Sequence, residues 1–261
     1  MVFVSTCFAA AVCRGLYKGL GVKLGRRQSF SLFTAPMVGV YLPGRFLSLA
    51  GHAAIARSFG APLAVGSVAV LIILGLGVVA ALVVGLAFML ARPVETITWG
   101  ILLSAIGATA VLTLIVVHPK LYVGILNRCL RLLKRPTIDA TLSRGTMATL
   151  LLGMCMFVLL YAAGFVGMVL GVVELPAATL PVLAGPICIA NTIGLLAIFA
   201  PGGIGVREGV LLLTLQPMLD AGTAALVTVL LRLMQVVADV VLSGAGLILF
   251  RSLRKEGGNS G

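Results

Sequence analysis

Residues 200–209 read APGGIGVREG, with long apolar runs on both sides. Pro201 has no N–H to give a helix, and its ring clashes with the turn before it. Gly202, Gly203 and Gly205 admit left-handed backbone that other residues avoid. Two ions, Arg207 and Glu208, follow at once. In a water-soluble chain such a segment is a surface turn. The solvent around it therefore decides the fold.

Composition identifies that solvent. Of 261 residues, 61% are apolar and 10% are charged, against about 25% charged in a soluble domain. Mean hydropathy is +1.20, more apolar surface than a soluble core can hide. Four charge-free runs, 62–91, 96–117, 146–173 and 177–200, reach the ~20 residues that cross a hydrocarbon core. A fifth, 221–250, is as long but carries Arg232 and Asp239. The chain reads as an all-α polytopic membrane protein. Its five scattered cysteines form no C-x-x-C pair and read as small buried hydrophobes.

Charge sets the orientation, because short cytoplasmic loops collect Lys and Arg. Residues 14–27 hold five basic groups and no acid, and residues 118–145 hold six against Asp139. Arg251, Arg254 and Lys255 follow in the tail, whereas 92–95 is neutral and 174–176 acidic. The basic segments are thus assigned to the cytoplasm, the C-terminus included, and the short connectors to the outside. Residues 1–13 would span only about 20 Å as a helix. They read either as the tail of a span whose beginning is absent or as a start placed too late.

This orientation forces two excursions. Residues 29–56 must enter and leave on the inside, with a break at YLPGR, 41–45; residues 177–219 must do so on the outside, with a break at PGGIG, 201–205. The expected fold is an inverted repeat with two re-entrant helical hairpins broken at Pro-Gly tips: Pro43 and Gly44 in one, Pro201 in the other. One transmembrane domain covers 1–261. Its first half is 14–95 with a tip at 43–45, followed by a linking span at 96–117 and a basic cytoplasmic loop at 118–145. The second half is 146–250 with a tip at 201–205, and 251–261 is the tail. If 177–200 instead crossed fully, that symmetry would fail. Inverted repeats with broken helices place substrate near the midplane in secondary transporters, and irregular backbone survives at that depth only when buried or lining a cavity.

Charges inside spans cost roughly 2.5–3.5 kcal/mol at a helix centre on insertion scales. Arg232, Gln235 and Asp239 follow at i, i+3 and i+7 on one helix face. Arg45, Arg207 and Glu208 stand at the two tips. Two readings stay open: mutual neutralisation, as of Arg232 by Glu208 or Asp239, and direct ligand contact. The chemistry points to an anion. A half-helix after Gly205 turns its N-terminus inward, Gly202 and Gly203 allow close backbone approach, and Arg45, Arg207 and Arg232 supply guanidinium forks suited to phosphate. Glu208, Gln235 and Asp239 are then charge-balancing or coupling groups.

The basic loop adds an amphipathic helix. Over 121–135 the apolar residues share one half and Arg128, Arg131, Lys134 and Arg135 the other, a pattern for lying on an anionic leaflet. Setting topology alone explains it equally well. The net charge of +12 thus reads as membrane orientation, and no nucleic-acid partner is expected. There is no phosphate-loop motif and no H-E-x-x-H, and only seven acids. Neither ATP hydrolysis, a metal nor another cofactor is expected, and the chain reads as a non-enzyme.

LPGR at 42–45, FGAP at 59–62 and above all PGGIGVREG at 201–209 resemble the flippase-like family named for the transmembrane region of lysylphosphatidylglycerol synthase, the multiple peptide resistance factor. The likeness runs from about Arg14 to Phe250, and Arg232 also fits. It implies a helical translocator in a bacterial or archaeal cell membrane. The cargoes implied are an aminoacylated phosphatidylglycerol or a polyprenyl-phosphate-linked lipid, and the partner expected here is an anionic phospholipid or such a polyprenyl-phosphate-linked lipid. Spans expected before Arg14 and a cytosolic aminoacyl-transferase domain do not accompany it here, so lysyl-lipid synthesis is not implied. The expected function is transport of an anionic, phosphate-bearing lipid without ATP. The alternative is a non-transporting scaffold that holds a membrane or cytosolic lipid-modifying or glycosyl-transferring enzyme.

Overall fold

A computed structural model describes residues 1–42, 46–91, 99–132, 142–176, 179–197 and 200–258. Among these residues every regular element is a helix. The α-helices are α1 (Val2–Gly19), α2 (Arg26–Thr34), α3 (Phe46–Ser58), α4 (Leu63–Ala91) and α5 (Trp99–Val117). They continue as α6 (Pro119–Leu132), α7 (Arg144–Leu170), α8 (Leu180–Leu196), α9 (Val206–Leu215) and α10 (Ala221–Gly258). Short 3-10 turns occupy Met37–Tyr41 and Pro201–Gly203.

Three of these helices, α4, α7 and α10, are long and apolar enough to cross a membrane. A fourth span results if α5 is counted with α6, which bends away from it by 96°. At the other extreme α8 has 17 residues, about 25 Å of rise, which falls short of a ~30 Å hydrocarbon core. Pro181 lies in its first turn and Pro186 inside it. Within a run that the sequence alone leaves long enough to cross, the described helix is thus shorter than a span.

Helix α4 is the centre of the packing, in contact with α3, α5, α7 and α8, while α1 lies along α7. Val68, Ile72 and Leu76 of α4 are fully buried, with Leu16 of α1, Met147 of α7 and Leu183 and Ile187 of α8 closed around them. Gly85 lets α4 approach α8 closely, since a methyl there would stand 2.9 Å from Cys188 Cβ. Outside this core, Leu226, Val229, Leu233, Val237, Val240 and Val241 of α10 are exposed. A continuous apolar face of that kind belongs against lipid.

The N-terminal segment differs from its sequence reading. Arg14 and Lys18 do not open a loop; they lie in α1, which runs on to Gly19 for 18 residues. The Arg14 Nε–H donates to the Leu24 carbonyl at 3.1 Å, which folds the basic segment back onto the end of its own helix.

The two breaks come together. After α2 the chain passes through the 3-10 turn at Met37–Tyr41, and after α8 through that at Pro201–Gly203; the two turns touch. Helices α8 and α9 pack against each other across the second break. The tip residues Pro43, Gly44 and Arg45 lie outside the described residues, and the first break already begins at the end of α2, before the YLPGR that signals it in sequence. Small residues join the halves elsewhere. Ser31 of α2 donates to the Gly246 carbonyl and Ser243 of α10 to the Ala35 carbonyl, both buried, at 2.9 and 2.7 Å.

Candidate functional site

The second break owes its shape to glycine. Gly202, Gly203 and Gly205 have φ of 59°, 71° and 83°, in the region where a Cβ is strained. At Gly203 space is short as well: a Cβ would stand 3.0 Å from the Gly194 carbonyl oxygen and 3.2 Å from its Cα. Gly194 in turn admits Arg207, whose Cβ a methyl there would meet at 2.9 Å. These glycines fold the backbone of residues 202–205 against α8 and aim the start of α9 into the bundle.

Glu208 stands at the third position of α9 and reaches back to its own helix start. Its Oε2 accepts the Gly205 N–H at 2.7 Å, and its Oε1 lies 3.3 Å from Arg232 Nε on α10. One carboxylate thus satisfies an otherwise open N–H of the helix end and pairs with a guanidinium. Of the two partners open in sequence, Arg232 takes Glu208. Asp239, seven residues on, accepts instead from the Tyr41 hydroxyl at 2.6 Å.

The two arginines have unlike surroundings. Arg207 is 7% exposed. It donates to the Tyr161 hydroxyl oxygen at 2.7 Å and to the Gln235 side-chain oxygen, and its guanidinium lies 5.9 Å from the Tyr161 ring centroid. Every partner is neutral. The Arg232 side chain is 17% exposed and lies 5.3 Å over the Tyr41 ring. Its Nη1 approaches the Gly202 carbonyl at 3.4 Å. Its Nη2 is buried and has no hydrogen-bond partner among the described residues. A buried cationic donor left open is costly and marks where an acceptor would be held.

Between these groups runs a small cleft lined by Arg207, Glu208, Leu211, Thr228, Leu231, Arg232 and Gln235. Its free volume is about 10 Å³, room for about one water molecule and far below the ~300–1,000 Å³ of a small-molecule pocket. A larger group, a phosphate included, enters only if a lining side chain moves aside. No cluster of three or more His, Cys, Asp or Glu side chains gathers among the described residues.

The site therefore unites Gly202, Gly203, Gly205, Arg207, Glu208, Arg232, Gln235 and Asp239. Arg45 and the neighbouring tip residues lie outside the described residues. Tyr41 and Tyr161 are the members that charge counting passes over; their signal is a phenol within or beside an apolar run, which needs a partner once buried. Arg128 and Arg131 are exposed on α6, away from this centre, and Lys134 and Arg135 fall outside the described residues. Tyr122 fixes α6 to the bundle, its hydroxyl donating to the Leu71 carbonyl of α4 at 2.7 Å. Gly75 leaves that ring its space, since a methyl there would stand 2.7 Å from the hydroxyl.

Comparison with known proteins agrees with the residues. The chain belongs to the lysylphosphatidylglycerol synthase TM region family, whose match covers residues 1–243. That match includes the segment ahead of Arg14. No curated protein and no solved structure matches.

Proposed function

We propose that this chain carries an anionic, phosphate-bearing lipid, a phospholipid or a lipid-linked precursor, across a bacterial or archaeal cell membrane. Neither ATP nor a catalytic step is involved. The phosphate sits in the cleft between α9 and α10 against Arg232 and the N-terminal backbone of α9, while the acyl or prenyl chain stays in lipid beside the exposed face of α10. Arg207 shapes the cleft wall and adds positive potential. The two broken segments form the paired hairpins of an inverted repeat, and movement of one pair against the other exposes the site to each side in turn. The basic face of α6 rests on the cytoplasmic leaflet, with the C-terminus on the same side.

The open Nη2 of Arg232 is the observation that carries this reading. An ion retained only to hold two helices together would have both terminal guanidinium nitrogens partnered, as Nη1 and Nη2 of Arg207 are. Carboxylate and phosphate oxygens are the acceptors a guanidinium fork matches. Membership of the family favours a lipid as the owner of that phosphate.

The test is translocation in proteoliposomes containing acyl-labelled fluorescent phosphatidylglycerol, read by dithionite quenching of the outer leaflet. Wild-type protein should expose the inner-leaflet probe faster than empty vesicles do, and Arg232→Ala should return the rate to that of empty vesicles. Equal rates for wild type, variant and empty vesicles would remove the transport reading and leave the scaffold.

A further inference from the structure

The cleft already contains an anion of its own. Glu208 spans the two groups that an incoming phosphate needs, the Gly205 N–H at 2.7 Å and Arg232 Nε at 3.3 Å. Its side chain is 26% exposed, so its outward path is open to whatever fills the cleft. The described charges at the centre balance, Arg207 and Arg232 against Glu208 and Asp239. A phosphate added with Glu208 in place would meet a carboxylate lining the same cleft, an arrangement of like charges that repels.

We infer that the Glu208 carboxylate is a built-in competitor, which occupies the phosphate position in the empty protein and must swing off Arg232 and Gly205 before the ligand binds there. The inference rests on the proposed function and adds regulation of the same site. The empty site is paired at Arg232 Nε and at the Gly205 N–H, with Nη2 left open, and the ligand takes over the paired contacts and fills the open one. Affinity for the phosphate group is thereby held down, as release on the far side requires.

The third position of a helix accepts Glu or Gln in the same capping arrangement. Glu208→Gln therefore keeps an acceptor for Gly205 and removes only the charge, which makes it the informative variant. Lipid retained by purified protein is measured by native mass spectrometry in wild type, Glu208→Gln, Arg232→Ala and the double variant, after exchange with phosphatidylglycerol, phosphatidylcholine or inorganic phosphate. Glu208→Gln should retain phosphatidylglycerol about fivefold better than wild type, the scale of losing one partly exposed ion pair. Phosphatidylcholine should gain less, because its choline loses the attraction of the Glu208 carboxylate. The double variant should fall to the level of Arg232→Ala, because Glu208 acts by masking Arg232. A gain for inorganic phosphate equal to that for phosphatidylglycerol would assign the cleft to free phosphate instead of a head group.

Loss of retention in Glu208→Gln at an unchanged melting temperature would overturn the competitor, while a drop in Arg232→Ala would still support the lipid site. Failure of both single variants to alter retention would overturn the lipid site itself. Should Glu208→Gln unfold, Glu208→Asp decides. Its shorter chain keeps the charge but cannot bridge both groups, and retention above wild type is expected from it too; retention at or below wild type would count against the competitor.

Discussion

The two breaks in this chain touch each other but are built differently. The second, at residues 200–205, is made by backbone: three glycines of positive φ, one pressed against Gly194, deliver a helix start that carries Arg207 and Glu208. The first is a 3-10 turn at Met37–Tyr41, and among the described residues its part in the site is one neutral side chain. Tyr41 lies under the Arg232 guanidinium, hydrogen-bonds Asp239, and fills the space a Cβ on Gly202 would need, 3.0 Å away. One break supplies charge and an open helix end; the other supplies a lid for the charge.

That contrast teaches what each break tolerates. A glycine turn under steric pressure has no substitute, because both φ and space are fixed. An aromatic cover can be trimmed stepwise, since its hydroxyl and its ring do separate things. The same contrast divides the arginines. Arg207, filled by Tyr161 and Gln235, belongs to the scaffold of the cleft, while Arg232 keeps a donor open for the ligand.

The largest effect is expected where the contrast is sharpest. Gly203→Ala combines a positive φ with a backbone clash, and strained backbone alone costs about 1–3 kcal/mol. The variant should show a large fall in melting temperature and yield in detergent. Gly205→Ala has nothing within 4 Å of its new methyl, but its φ of 83° and ψ of −50° lie outside the left-handed well, so it should lose the strain alone, about 1–3 kcal/mol. Equal losses in the two would show that strain alone, not the approach to Gly194, shapes the second break.

Next comes the lid. Tyr41→Phe removes a donor from a half-buried carboxylate, a change of about 1–3 kcal/mol, while the ring stays over Arg232. Thermal denaturation should register that loss with phosphatidylglycerol retention unchanged. Tyr41→Leu removes the ring too and should alter retention. Retention that responds to Tyr41→Phe as strongly would mean that Asp239, and not the ring, is what the first break controls.

The smallest effect lies outside both breaks. Asp220 opens α10, where the Thr223 hydroxyl and backbone N–H hold its carboxyl below the usual range; the N–H donates at 3.0 Å. A lowered value in the folded protein means the ionised form is the one folding favours. The stabilisation is therefore present above the ordinary carboxylate range and lost as pH falls through the lowered one. Asp220→Ala should melt slightly below wild type near neutral pH, and the two curves should converge in acid. A gap that persists in acid would assign the effect to packing.

Much of this was legible in the residues. Solvent, helical class, the break at residues 201–205 and the polar face of Arg232, Gln235 and Asp239 all follow from composition and from spacings of a few residues. The extent of α8 was not, because 177–200 is long enough to cross, whereas the helix described there has 17 residues. Nor was the extent of α1 visible, since Arg14 and Lys18 look like loop until the helix is seen to continue beneath them.

What the sequence determines by itself is local: hydropathy summed over a run, proline and glycine where a helix must stop, and which side chains share a face at 3.6 residues per turn. What the tertiary structure decides is pairing. Tyr41 meets Asp239 across 198 residues, Arg207 meets Tyr161 across 46 and Gln235 across 28, and Arg232 chooses Glu208 over the acid on its own helix. No periodicity encodes those choices. They depend on how closely α8, α9 and α10 approach, which is set by missing side chains at Gly194, Gly202 and Gly203 and settled only when the helices pack.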